Sequence, residues 1–171
     1  KDFLNSSVFD SRYAIVVMRL EPENSILEIV KAFLETKHIP LKIVGPSTQF
    51  FETLCMPLID QAENIDYLGP IYNRLELIRL RVHADVYVHG HTVGGTNPTL
   101  VEACHIGKPV IAQNNKFNRE VLGANSELYF DDHQDLIHLL RNDNWQNSLP
   151  RLLPKEYEWY KIHSQYIQLF K

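Results

Sequence analysis

Short apolar, β-branched runs recur along this chain, each followed by a stretch of helical periodicity, and that alternation constrains the fold more than any other feature. The runs are Tyr13–Met18, Leu41–Val44, Ile65–Leu68, Asp85–His89, Pro109–Ala112 and Leu128–Phe130. Strands that alternate with helices pair in parallel and are covered by those helices on both faces. The expected fold is therefore α/β, a doubly wound, Rossmann-like parallel sheet. In such sheets ligands bind beyond the carboxyl ends of the strands.

The helical segments have readable limits. Ile26, Leu27, Ile29, Val30, Phe33 and Leu34 fall on one face of a helix that Asn24 or Ser25 would cap. Further helices are expected over Thr48–Gln61, Asn73–Val82, Pro98–Ile106, Asn118–Leu122 and Gln134–Arg141. Beyond the proline-punctuated stretch Leu149–Pro154, a last helix carries Tyr157, Trp159, Tyr160, Tyr166 and Phe170, more aromatic surface than one small face buries. The first dozen residues are polar and aperiodic and start at Lys1 without a Met, as a linker cut from an upstream domain would. The expected division is a linker over 1–12, a ligand-binding domain over 13–154, and over 155–171 a C-terminal helix packing toward a missing domain.

Composition removes several classes of function. With 171 residues, of which 44% are hydrophobic and 22% charged, the chain can bury one sizeable core. Its 17 basic residues are scattered and its formal net charge is -4, so it lacks the positive face that nucleic acid requires. Cys55 and Cys104 have neither metal-ligand spacing nor the pattern of a disulfide framework, and read as buried thiols of a reducing, cytoplasmic protein. No apolar run approaches the roughly 18 residues of a transmembrane segment.

The most informative segment is His89-Gly-His-Thr-Val-Gly-Gly-Thr-Asn-Pro-Thr-Leu-Val-Glu-Ala103, which follows a strand and opens a helix. Asn97 suits an N-cap, Pro98 suits the first helical position, and Gly107 suits the helix end. Gly94, Gly95 and Thr96 make the turn ahead of that helix, where the lack of side chains lets an anion approach the backbone N–H groups. This is a place for a diphosphate. Glu102 sits roughly 7 Å along the axis from the cap, at ~1.5 Å per residue, which suits a ribose hanging from that diphosphate. Glu102 also lies among Leu100, Val101, Ala103 and Cys104, and a charge in such company needs a partner. His89 and His91, two apart at a strand end, invite a metal or acid-base reading and point to one side of the sheet; with no third ligand at suitable spacing they carry no metal site, and nearness to the ligand site, rather than chemistry of their own, is their expected importance. Arg19, at the carboxyl end of the first strand, is placed for phosphate; a surface ion pair with Glu21 or Glu23 is its plainer use.

Taken together, Arg19-Leu-Glu-Pro-Glu-Asn24, the 89–103 segment, Phe117-Asn-Arg-Glu-Val-Leu-Gly123 and the terminal Trp159, Tyr166, Leu169 and Phe170 resemble the C-terminal domain of family-4 glycosyltransferases of the GT-B fold, in particular a bacterial rhamnosyltransferase-like branch. The resemblance implies that Arg19 contacts the donor diphosphate and that Glu102 holds the ribose hydroxyls. Two family positions depart: Gly94 stands where the family has a sugar-contacting glutamate, and Asn24 where it has a phosphate-binding lysine. Lys116 and Arg119, beyond the fifth strand, are placed to replace that cation. The implied reaction is transfer of a hexose or deoxyhexose from a nucleoside diphosphate sugar to a saccharide or lipid-linked saccharide, with retention and without cofactor or metal. The acceptor would sit on a missing N-terminal domain, which would also be the route to any peripheral attachment at the inner membrane, and the fragment alone would be inactive. A dinucleotide-dependent oxidoreductase is excluded because no Gly-x-Gly-x-x-Gly follows the first strand. A non-catalytic nucleotide-binding or protein-interaction module is the remaining alternative.

Overall fold

The computed structural model describes residues 12–123, 128–142 and 144–147. The strands are β1 (Ala14–Val17), β2 (Leu41–Val44), β3 (Ile65–Gly69), β4 (Val86–His89), β5 (Val110–Gln113) and β6 (Tyr129–Phe130). Between and after them run α1 (Ile26–Glu35), α2 (Gln49–Leu54), α3 (Met56–Ile59), α4 (Arg74–His83), α5 (Pro98–Ile106), α6 (Lys116–Leu122) and α7 (His133–Asn142). The six strands form one sheet in the order β3-β2-β1-β4-β5-β6. Every pairing is parallel. This is the doubly wound sheet expected from the alternation of strands and helices.

Burial on both faces explains why the strands lack polar alternation. Ala14, Val16, Leu41, Ile43, Val86, Val88 and Ile111 join one core with α1, α2, α3 and α7. Their neighbours Tyr13, Ile15, Tyr87, Val110 and Ala112 join a second core with α4, α5 and α6. Successive strand residues point to opposite faces, so an apolar run has somewhere to bury each of its side chains. Cys55 and Cys104 are buried free thiols, and burial pushes each up to about 11.

The structure corrects the expected elements in three places. Thr48–Gln61 is two short helices, because Pro57 has no N–H for the carbonyl four residues back and its ring crowds that carbonyl, so the helix restarts at Met56. Ser25 holds the N-cap position of α1, but its side chain makes no cap bond and Asn24 does not cap the helix. Asn24 ends a tight turn over Pro22–Asn24, and Ser25 enters α1 in the left-handed region at φ 52°. The sixth helix begins at Lys116 rather than Asn118, because Asn115 caps it by accepting from the N–H groups of Phe117 and Asn118. The aromatic residues Trp159, Tyr166 and Phe170, and the linker up to residue 11, lie outside the described residues. Among the described residues no helix is long and apolar enough to cross a membrane.

Candidate functional site

β1 and β4 are neighbours at the centre of the sheet, but the chain leaves β1 toward β2 and leaves β4 toward β5, on opposite sides. The loops after these two strands therefore part and open a crevice at the switch point. They are held together at its floor. Thr92 donates from its N–H (2.9 Å) and its Oγ1 (2.8 Å) to the Glu23 carbonyl. Gly90 passes so close to the first loop that a Cβ there would stand 2.1 Å from the Asn24 carbonyl oxygen. Asn24 is buried, and its Nδ2 donates to the Arg19 carbonyl at 2.6 Å. From the third side, Asn115 and Asn118 donate through Nδ2 to the His91 carbonyl, at 2.7 and 3.2 Å. The open hollow of about 650 Å³ lined by Leu34, Lys37, Pro40 and Asn64 lies at the amino ends of β2 and β3, away from this crevice.

The turn ahead of α5 rests on Gly94, whose φ of +96° favours glycine, and nothing stands within 4 Å of where a Cβ of Gly94 or Gly95 would be. Asn97 caps α5 as expected, its Oδ1 accepting from the Thr99 N–H at 2.9 Å and from Thr99 Oγ1 at 2.7 Å. Its carbonyl accepts from the N–H groups of Leu100 and Val101. The first amides of α5 are thus used inside the cap, which amends the expectation that they stand free for a ligand. What α5 offers an anion is the positive end of its dipole and the open turn over Gly94, Gly95 and Thr96.

Glu102 has the partner its apolar neighbours demand, and that partner comes from another helix. Arg81 of α4, only 6% exposed, donates through Nη1 to Glu102 Oε2 at 2.5 Å, while the Glu102 side chain stays 59% exposed. Arg81 Nε is buried without a hydrogen-bond partner among the described residues. Sequence reasoning missed Arg81. The one signal for it was its position four residues after Leu77 and next to Leu80, which places it on the arc of α4 that faces the core.

Arg19 lies at the crevice rim, 74% exposed, with a 3.8 Å ion pair to Glu23. Such a long, exposed pair holds the guanidinium weakly and leaves it able to turn to a ligand. The two proposed replacements for the missing cation are differently engaged. Arg119 donates from Nε to Asn114 Oδ1 at 2.6 Å and lies over the Tyr129 ring. Lys116 Nζ sits 4.9 Å over the Phe117 ring.

His89 and His91 point the same way, as their spacing requires, and their rings stack at 4.5 Å and 15°. On its other side His89 faces Tyr87 at 6.0 Å. His89 is fully buried, and among the described residues neither of its ring nitrogens has a partner. Burial, with the neighbouring His91, pushes it down to about 3. His91 is also lowered, chiefly by burial and then by Arg19, against a smaller opposite pull from Glu23. Among the described residues no three His, Cys, Asp or Glu side chains are grouped to hold a metal ion.

The geometry can be set beside known proteins. Sucrose-phosphate synthase from Thermosynechococcus elongatus is similar at 19% identity and a TM-score of 0.75, over 95% of this chain and 46% of that one. HepE from Anabaena, solved with UDP and glucose, is similar at 16% identity and a TM-score of 0.76, over 96% of this chain and 49% of that one. A trehalose-6-phosphate synthase studied for glycosyl transfer with retention is similar at 15% identity and a TM-score of 0.64, over 81% of this chain and 38% of that one. The chain thus spans less than half the length of these structures, and the likeness is one of fold, that of GT-B glycosyltransferases. No curated protein sequence matches the chain. The family described as glycosyl transferases group 1 matches residues 4–142, most of the chain, and the chain belongs to that family.

Proposed function

We propose that this chain is the donor-binding half of a two-domain, family-4 glycosyltransferase of the rhamnosyltransferase-like branch, which moves a hexose or deoxyhexose from a nucleoside diphosphate to a saccharide hydroxyl with retention. The observation that carries this reading is the juxtaposition at the switch point. The open turn at Gly94 and Gly95 and the positive end of α5 follow β4, Arg19 follows the neighbouring β1, and Glu102 stands about one and a half turns along α5. A departing diphosphate gains negative charge, and fixed positive potential in place before the reaction stabilises it. Arg19 and the α5 dipole supply that potential, and Glu102 accepts from a ribose hydroxyl. Two of the similar structures, one solved with UDP and glucose and one studied for transfer with retention, agree with this reading. The acceptor and the groups that close the cleft over it belong to another domain.

Calorimetry with uridine, thymidine and guanosine diphosphates, each with and without a chelator, tests the proposal. One of them is expected to bind, and equally well with chelator, because dipole and side chains rather than an ion hold the phosphates. Binding of none of the three would overturn the donor reading, and loss on chelation would overturn its metal-free form.

A further inference from the structure

The donor reading leaves two buried imidazoles without a task. His89 is wholly enclosed and has no hydrogen-bond partner at either nitrogen among the described residues, and the buried Nδ1 of His91 has none there either. Buried polar atoms without partners are rare because each forfeits its hydrogen bonds to water. Here they lie together at the carboxyl end of β4, His89 closing the strand and His91 in the loop that leads to the turn before α5. His91 is fixed there through its backbone: two asparagines of the β5–α6 corner hold its carbonyl, and the next residue, Thr92, is bonded to Glu23. Its ring is half-buried, with Arg19 near enough to bear on its charge.

We propose that His91 is a proton-accepting contact of the donor diphosphate: neutral before the phosphates arrive and an imidazolium beside them, so that donor binding draws one proton from solvent onto this ring. The inference rests on the donor reading and deepens it. The groups that bear on His91 come from three sides. From the β1 loop, Arg19 opposes its charge and Glu23 favours it. Beneath it on β4 lies the parallel ring of His89, with Tyr87 beyond. From the β5–α6 corner come Asn115 and Asn118, which are uncharged. Two imidazolium rings at 4.5 Å would repel, so the stack carries one charge at most, and the outer ring takes it because the inner one is sealed from water. The neutral inner ring then offers its π face to the cation. The negative charges of a diphosphate resting on the turn before α5 favour the imidazolium, against the burial and the Arg19 charge that hold the ring neutral without donor. Here, then, is a second cation for the phosphates where Asn24 leaves none, present only when donor is bound.

The test uses the full chain and whichever of UDP, TDP and GDP binds tightest. Titration calorimetry at pH 7 in two buffers of different ionisation enthalpy counts the protons taken up on binding, and His91→Asn provides the comparison because the nucleotide's own phosphate titrates alike in both proteins. The unaltered chain is expected to take up at least roughly half a proton more per bound nucleotide than His91→Asn does. At pH 6.5 His91→Asn is expected to bind about tenfold more weakly, with the gap closing by pH 8.5. This substitution keeps the backbone latch, and a melting curve checks the fold. Imidazole NMR titration of the unaltered chain, which needs no substitution, is expected to show one ring titrating at higher pH with nucleotide than without. Binding with equal proton uptake in both proteins, or with no ring shifted, overturns the assignment and leaves the donor site standing. Failure of all three nucleotides to bind overturns the donor reading and this inference with it.

Discussion

Glu102 answers to two neighbours, and they pull its interpretation in different directions. The buried guanidinium of Arg81 needs the carboxylate as counter-ion, while the Glu102 side chain stays 59% exposed and the donor reading gives that exposed side to a ribose hydroxyl. Glu102→Gln therefore cannot be silent for stability: it leaves a buried charge without its partner, at a cost of about 1–3 kcal/mol. The donor reading adds a loss of about tenfold to a hundredfold in nucleotide affinity, from a charge-assisted bond to a ribose hydroxyl. A double-mutant cycle with Arg81→Met separates the two effects. Removing Arg81 as well is expected to return part of the stability, read from urea midpoints, without restoring affinity. If affinity returns together with stability in the double mutant, Glu102 is only Arg81's counter-ion. That Glu102 requires a partner was legible from its apolar neighbours along α5. That the partner is Arg81 was not, because the two residues meet only when α4 packs on α5, and nothing local in the chain encodes that contact.

At the scale of elements, the site is made by loops held against each other more than by any single motif. The strand-turn-helix segment at 89–103 could be read residue by residue because capping and proline placement act over three or four positions. The break in the second helix had a local cause too, in Pro57, but the apolar pattern on both sides masked it. Gly90 is different: no turn geometry demands it, and only the arrival of the β1 loop from far away in sequence makes it necessary. Gly90→Ala is expected to force the Asn24 carbonyl and its loop away from β4. Relief of a clash between backbones takes strain or displacement, typically about 1–3 kcal/mol, and here the displacement also moves Arg19 from the crevice. Chemical denaturation and nucleotide binding should both register the change. Unaltered stability in Gly90→Ala would mean that the two loops are not packed as tightly as the structure has them.

The whole molecule is a sheet with a core on each face, and such a body tolerates few polar groups inside. His89 is one of them, on β4, the strand that pairs with β1 at the switch point. Its imidazole is pushed down to about 3 by burial and by His91. An unfolded chain would protonate the same ring near its ordinary value of about 6.5. Between those two values the unfolded chain binds the extra proton, so stability must rise with pH across that window and fall as the solution is acidified through it. From pH 7 to pH 5 the loss expected from this one ring is about 2 kcal/mol, at about 1.4 kcal/mol for each pH unit below the unfolded value. His91 is lowered as well and adds in the same direction. Lowered carboxylates such as Glu28, which pairs with Lys31 and His133, contribute stability that is lost at lower pH, as they protonate. His89→Leu isolates the ring: it fills much of the same space, leaves no buried nitrogen unpaired and cannot titrate. Urea unfolding at pH 7 and pH 5 should give the unaltered chain the larger drop by about 2 kcal/mol, with His89→Leu the more stable of the two at pH 5. Equal drops in both proteins would show that His89 accepts its proton without unfolding the chain, and that the floor of the crevice is open to water.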